Sequence, residues 1–139
     1  MIKSQHLTAE GLVKGLETGD FYASSGVLID EITRERDEYR LTIRAEEGVR
    51  YKTQFITTLK GTNLDANPKL DKDGHALPVT ADYSPDIGKV VSESTSSTPR
   101  YTFTGKELYV RAKVTSTKPH PNPYAKGDME IAWTQPVVP

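Results

Sequence analysis

The sequence predicts a mainly β protein, an antiparallel β-sandwich of the immunoglobulin-like or jelly-roll type preceded by one short helix. Apolar and polar residues alternate in several segments after residue 19, which is the pattern of half-buried strands. Only one segment has the spacing of an amphipathic helix, and the 139 residues suffice for a single hydrophobic core. One-sided strands without covering helices bury their apolar faces against each other, which favours two packed sheets.

The predicted helix covers residues 8–18, TAEGLVKGLET. Thr8 is suited to cap its N-terminus, and Gly19 is suited to end it. Its apolar side chains share one face, formed by Leu12, Val13 and Leu16. Gly11 and Gly15 each lower helix stability by about 1 kcal/mol relative to alanine, so this helix is expected to need a neighbouring element.

Three segments show the clearest strand alternation. Their predicted inward faces are Tyr39, Leu41, Ile43 and Ala45; Tyr51, Thr53, Phe55, Thr57 and Leu59; and Leu108, Val110, Ala112 and Val114. Shorter strands are predicted within residues 21–32, 89–95, 100–104 and 130–137. The EEG of residues 46–48 predicts a hairpin turn. The proline-containing stretches 61–88 and 116–129 are excluded from central strands, because proline cannot donate a ladder hydrogen bond.

The composition argues against several classes of protein. Eighteen basic and nineteen acidic residues leave a formal charge of -1, which argues against a nucleic-acid-binding or anionic-membrane surface. No apolar run approaches the roughly 18 residues that cross a bilayer. The absence of cysteine excludes disulfides, thiolate zinc sites and a cysteine nucleophile, and the composition does not fix a cellular compartment.

Residues 19–26, GDFYASSG, contain two hydroxyls beside a glycine and raise the question of a serine nucleophile. A nucleophile elbow requires G-x-S-x-G, but Tyr22 stands where the first glycine would precede Ser24. The interpretation favoured by the residues is a tight bend in which Ser24, Ser25 and Gly26 satisfy backbone groups.

Metal ligands are sparse in the sequence. Asp73-Gly74-His75 has D-x-H spacing but is more typical of a turn. An EF-hand through this stretch is excluded, because Lys69 and Thr80 stand where acidic residues are required. An irregular calcium loop that uses Asp71 and Asp73 remains the weaker alternative.

Aromatic residues provide candidate ligand contacts. Trp133 alternates with Ile131, so it is predicted in the core. Tyr109, Arg111 and Tyr124 are the candidate ligand-binding residues, and a half-buried Arg111 would need a carboxylate partner.

The segment HLTAEGLVKGLETGDFYASSGVLIDEI resembles the end of the catalytic domain of metal-dependent phosphoesterases of the PHP (polymerase and histidinol phosphatase) family. Long members of that family carry a helix ending in G-x-F-Y-A-S-S-G, here residues 19–26, and a β-rich C-terminal region. That region closes with a Y-V-R strand and an A-W-x-x-P end, here residues 109–111 and 132–136.

The resemblance implies that the chain is non-catalytic. PHP enzymes are distorted α/β barrels that bind two or three metal ions through His, Asp and Glu ligands upstream of F-Y-A-S-S-G. The chain is therefore expected to be the C-terminal part of such a phosphoesterase. Residues 1–19 would be the last helix of the barrel, and residues 20–139 a β-sandwich domain. Divalent metal ions are expected only in the barrel, and no cofactor is expected in this chain.

Two functions follow as expectations. The first is a non-catalytic accessory domain that stabilises the phosphoesterase barrel or shapes its substrate entrance. Its barrel interface is predicted at Leu12, Leu16, Phe21 and Tyr22, where the exposed N-terminal segment also offers a route to self-association. The alternative is a β-sandwich module that binds carbohydrate or another surface. An independent hydrolase would need a set of convergent side chains that the sequence does not supply.

Overall fold

The structure is a computed structural model. It describes the backbone of residues 1–139 and all side chains except those of Val79 and Thr80. It contains one helix, α1 (Ala9–Glu17), and ten strands. The strands are β1 (Tyr22–Ser24), β2 (Ile29–Arg34), β3 (Glu38–Ile43), β4 (Tyr51–Leu59), β5 (Asn67–Leu70), β6 (Ala76–Asp82), β7 (Lys89–Ser94), β8 (Arg100–Thr102), β9 (Glu107–Pro119) and β10 (Met129–Thr134). In the described part of the chain, helix α1 is not long and apolar enough to span a bilayer.

The predicted antiparallel β-sandwich is confirmed. A five-stranded sheet has the order β1-β10-β9-β4-β7, a three-stranded sheet has the order β2-β3-β8, and every pairing in both is antiparallel. Strands β5 and β6 form a separate two-stranded hairpin. The proline-containing stretch 61–88 thus supplies no central strand to the sandwich, as predicted. The prediction is wrong for the start of the stretch 116–129, because β9, the central strand of the five-stranded sheet, extends through residues 116–119.

The core lies between the two main sheets and follows the predicted alternation. Its buried apolar residues are Tyr22, Val27, Ile29, Tyr39, Leu41, Ile43, Tyr51, Phe55, Val110, Ala112, Val114 and Ala132. Phe55 lies at the centre, with its ring 6.2 Å from that of Tyr39 and 5.6 Å from that of Tyr101. Edge-on and tilted ring contacts of this kind add to the stabilisation from burial alone. The three rings come from both sheets and so link them.

Three residues predicted on inward faces are exposed instead. Leu59 and Leu108 lose their inward orientation because the register between β4 and β9 shifts after Thr58. Glu107 takes the buried position at the start of β9. Ala45 lies beyond the end of β3 and is also exposed.

The hairpin predicted at residues 46–48 is wrong. Strands β3 and β4 belong to different sheets, so the intervening loop crosses from one layer of the sandwich to the other. Gly48 does adopt the positive φ of a turn, at +75°. The turn residues therefore indicated a reversal of the chain but not which strands it would pair.

Helix α1 forms as predicted but packs on an unexpected neighbour. The Thr8 hydroxyl accepts a hydrogen bond from the backbone N–H of Gly11 at 3.1 Å, as an N-cap should. A Cβ at Gly15 would lie 2.7 Å from Ile2 Cγ2, and one at Gly11 would lie 2.9 Å from the carbonyl oxygen of His6. The glycine face therefore accommodates residues 2–6, and in the described chain the helix makes no extensive contact with a strand.

Candidate functional site

The GDFYASSG segment contains β1 and the start of the bend that leads to β2, and both of its serine hydroxyls bond to backbone. Ser24 Oγ accepts from the N–H of Gly26 at 3.0 Å and donates to the carbonyl of Val27 at 2.5 Å. Ser25 Oγ accepts from the N–H of Ile131 at 3.0 Å. Both serines thus hold the bend and connect it to β10, which is the structural role predicted for them.

Gly26 is favoured at this bend by the close approach of a buried side chain and by its positive φ of +158°. The carboxylate of Glu130 packs against its Cα, so an added Cβ would lie 2.1 Å from Glu130 Cδ. The Glu130 side chain is 7% exposed and has Lys118 Nζ at 3.7 Å. The end of the segment therefore accommodates a buried carboxylate.

The aromatic pair of the segment divides between the core and the N-terminal region. Tyr22, which was predicted at a barrel interface, is 8% exposed, and its hydroxyl accepts from the N–H of Ile29 at 2.9 Å. Its ring belongs to the sandwich core and is not available to a second domain. Phe21 is half-buried and pairs with Ile2, and both line a cleft of about 600 Å³ between the N-terminal segment and residues 135–137.

The apolar face of α1 is turned away from its glycine face and towards solvent. Leu7, just before the N-cap, is 92% exposed, Val13 is 53% exposed and Leu16 is 49% exposed. We refer to these three residues as the helix surface. Leu12 is half-buried beside it. Of the four predicted interface residues, Leu16 lies on this surface and Leu12 adjoins it.

The outward face of the five-stranded sheet contains the second candidate site. Trp133 was predicted in the core, but Ala132 and Thr134 take the inward positions and Trp133 lies half-buried on the outside. The Arg111 guanidinium carbon is 4.3 Å from the centre of the tryptophan ring, and Lys113 Nζ is 5.3 Å from it. Both distances are within the range of cation–π attraction. We refer to Arg111, Lys113 and Trp133 as the cation–tryptophan cluster.

The other two candidate ligand residues do not join this cluster as binding groups. Tyr109 is half-buried, and its hydroxyl accepts from Thr58 Oγ1 at 3.1 Å. Tyr124 is fully exposed in the loop between β9 and β10. Arg111 lies eight residues before Pro119, the last residue of β9. About 27 Å of strand therefore separates Arg111 from the loop that carries Tyr124. Arg111 was expected to have a carboxylate partner, but its partner in the structure is the ring of Trp133.

Glu107 is a buried carboxylate with a complete set of donors. Its Oε1 accepts from Tyr101 Oη at 2.7 Å and from Thr104 Oγ1 at 2.7 Å, and the N–H of Thr104 donates at 2.9 Å. Burial alone would raise the pKa of Glu107, but these hydrogen bonds outweigh it and lower the pKa to about 2. Burial and donation to Glu107 raise the pKa of Tyr101 to about 12. The cluster connects β8 in one sheet to β9 in the other.

The candidate calcium loop forms a turn stabilised by its own side chain. Asp71 Oδ1 accepts from the backbone N–H groups of Asp73 and His75, each at 2.9 Å. No group of three or more His, Asp or Glu side chains converges among the residues that the structure describes. One carboxylate oxygen of Asp71 thus stabilises the turn, and among the described residues Asp73 does not form a metal-binding group with other acidic or histidine side chains.

No protein-family model matches this sequence, and comparisons with curated proteins and with solved structures also give no match.

Lys113 and Trp133 are the site residues that sequence reasoning missed. Lys113 alternates with buried Ala112 and Val114, which was a usable signal for an outward position. Trp133 gave no such signal, because the orientation of β10 depends on the irregular register between Met129 and Ile131.

Proposed function

We propose that this β-sandwich is a non-catalytic accessory domain of a PHP-type metal-dependent phosphoesterase, and that it docks on the catalytic barrel through the helix surface. In this role it stabilises the barrel or shapes its substrate entrance. The observation that carries the proposal is the exposure of Leu7, Val13 and Leu16 next to the segment that resembles the end of a PHP barrel.

The helix surface supports docking because a large part of its apolar side-chain area is exposed. A leucine just before an N-cap commonly packs on the fourth helical residue, here Leu12, but Leu7 remains 92% exposed. Full burial of a leucine side chain contributes about 1.5–3 kcal/mol, and nearly all of this is available from Leu7. Large apolar side chains left exposed on one short element of a small domain are consistent with an interaction site.

The connection between helix and sandwich supports a fixed orientation of the two domains. The N–H of Lys3 donates to the carbonyl of Asp20 at 2.7 Å, and the N–H of Tyr22 donates to the carbonyl of Met1 at 2.9 Å. Residues 1–3 thereby extend the edge of the five-stranded sheet beside β1. A barrel bound to α1 would be held close to the sandwich, because the helix is tied to the sheet at both of its ends.

The experiment has two steps. The coding sequence immediately upstream of Met1 is expected to specify a barrel with H-x-H and D-x-H motifs. That barrel is then produced separately and mixed with this chain, and complex formation is measured by size-exclusion chromatography with light scattering. We expect a 1:1 complex that Val13→Lys weakens at least tenfold.

Matched variants separate docking from folding. Val13→Lys improves intrinsic helix propensity, so a loss of binding does not arise from loss of the helix. Glu17→Gln changes the charge of α1 by the same amount outside the helix surface and is expected to bind as the wild type does. Absence of an encoded barrel, or binding that Val13→Lys leaves unchanged, would contradict the proposal.

A further inference from the structure

We propose that the outward face of the five-stranded sheet binds a carboxylate-bearing polysaccharide at the cation–tryptophan cluster. This inference is independent of barrel docking, because it concerns β9 and β10 rather than α1. It rests on three features. Two cations have no carboxylate partner, a tryptophan ring lies beside them on the outward face of the sheet, and the strands at this position are hydrogen-bonded to neighbouring strands on both sides.

The first feature is uncompensated positive charge. Neither Arg111 nor Lys113 has a carboxylate oxygen within 4.0 Å among the described side chains. The nearby Glu93 is engaged elsewhere, since it accepts from Gln54 Nε2 at 2.7 Å and pairs with Lys52 Nζ at 2.9 Å. Arg111, Lys113 and Lys52 together with Glu93 carry a local charge of +2, whereas the whole chain carries -1. An anionic ligand complements that charge.

The second feature is the position of the ring in the sheet. Residues opposite one another across the strands form the row Ala23, Trp133, Lys113, Gln54 and Glu93. Residues opposite one another in antiparallel strands place their side chains on the same face. Ala23 has only a methyl group, so Trp133's direct neighbour on the β1 side covers little of it, while Lys113 flanks the other side. A pyranose ring can pack its apolar face on the tryptophan, with its carboxylate directed to the cations.

The third feature favours a polysaccharide over a peptide. Strand β9 is hydrogen-bonded on both sides, to β10 and to β4, and β10 is bonded to β1 and β9. An extended peptide therefore finds no free backbone edge at the cluster for strand addition. The site offers side chains only: one ring, two cations and the amide oxygen of Gln54. This set matches a chain of sugar rings that carry hydroxyls and carboxylates.

The intrinsic fluorescence of the protein tests the proposal directly, because Trp133 is its only tryptophan. The full chain is titrated with polygalacturonate at low ionic strength. We expect a saturable change in tryptophan emission that weakens as salt is added. Dextran, a neutral polysaccharide, is expected to give at least a tenfold weaker response.

Variants assign the response to the cluster. Arg111→Gln with Lys113→Gln is expected to weaken polygalacturonate binding at least tenfold, while Lys69→Gln with Lys126→Gln removes the same charge elsewhere and leaves binding unchanged. Circular dichroism confirms folding, and Lys113→Gln alone gives a milder variant with a smaller but measurable loss. The proposal is overturned if the emission does not change, if both double variants respond alike, or if poly-glutamate binds as tightly as polygalacturonate.

Discussion

Replacement of Glu107 by glutamine is expected to destabilise the fold by about 3 kcal/mol at neutral pH. Glu107 is 1% exposed, and its carboxylate accepts from three donor groups, the Tyr101 hydroxyl and the hydroxyl and N–H of Thr104. Its folded-state pKa is about 2 against an ordinary value of 4.5. At about 1.4 kcal/mol for each pKa unit, this difference corresponds to about 3 kcal/mol of stability. A glutamine keeps the shape but turns an NH₂ group towards donors that need an acceptor.

The pH dependence gives the prediction a second, independent readout. Because the pKa of Glu107 is lowered on folding, its contribution is complete above about pH 4.5 and is lost as the pH falls towards 2. Urea unfolding of wild type and Glu107→Gln at pH 7, 5, 4 and 3 measures the difference in free energy of unfolding. That difference should be constant from about pH 7 to 5 and shrink below it.

Glu47→Gln removes the same charge at an exposed position and serves as the control. Its effect should stay within about 0.5 kcal/mol at every pH. A difference for Glu107→Gln below about 1 kcal/mol at pH 7, or one that does not change with pH, would refute the reasoning.

Two further substitutions test the core and the bend. Thr53→Val is expected to raise the free energy of unfolding by about 1 kcal/mol, because the Thr53 hydroxyl is buried and has no hydrogen-bond partner among the described atoms. Urea unfolding measures the change, and a loss of stability would show that the hydroxyl does have a hydrogen-bond partner. Gly26→Ala is expected to destabilise by about 1–3 kcal/mol, because its Cβ would overlap the Glu130 carboxylate. In a Glu130→Ala background the penalty should shrink but not vanish, because the backbone of Gly26, with φ at +158°, still disfavours alanine; an unchanged penalty in that double-mutant cycle would contradict the contact.

The sequence predicted the layers of the fold better than it predicted the details of each strand. Alternation identified the buried faces of β3, β4 and β9, because a period of two is a local property of a half-buried strand. Pairing is not local, so the turn at residues 46–48 was assigned to a hairpin that the structure does not contain. Leu108 and Trp133 were assigned to the core because register irregularities reverse side-chain orientation without a signal in the composition.

For the candidate sites too, the sequence predicted local features better than contacts between separate segments. The amphipathic pattern of α1 predicted an apolar face, and Leu16 is exposed on it. The two helix glycines predicted a neighbouring element without identifying it, and residues 2–6 of the chain fill that side. The pairing of Arg111 with Trp133 needed the register of β9 against β10, which a single sequence does not determine.

The proposal that α1 is the docking element is tested most directly by hydrogen–deuterium exchange of this chain with and without the PHP-type barrel. Amides of residues 9–17 should exchange at least tenfold more slowly in the mixture, because docking buries the helix and suppresses its local opening. Amides of β9 and β10 should be unchanged. Unaltered exchange in α1, with protection appearing elsewhere or nowhere, would contradict the proposed interface.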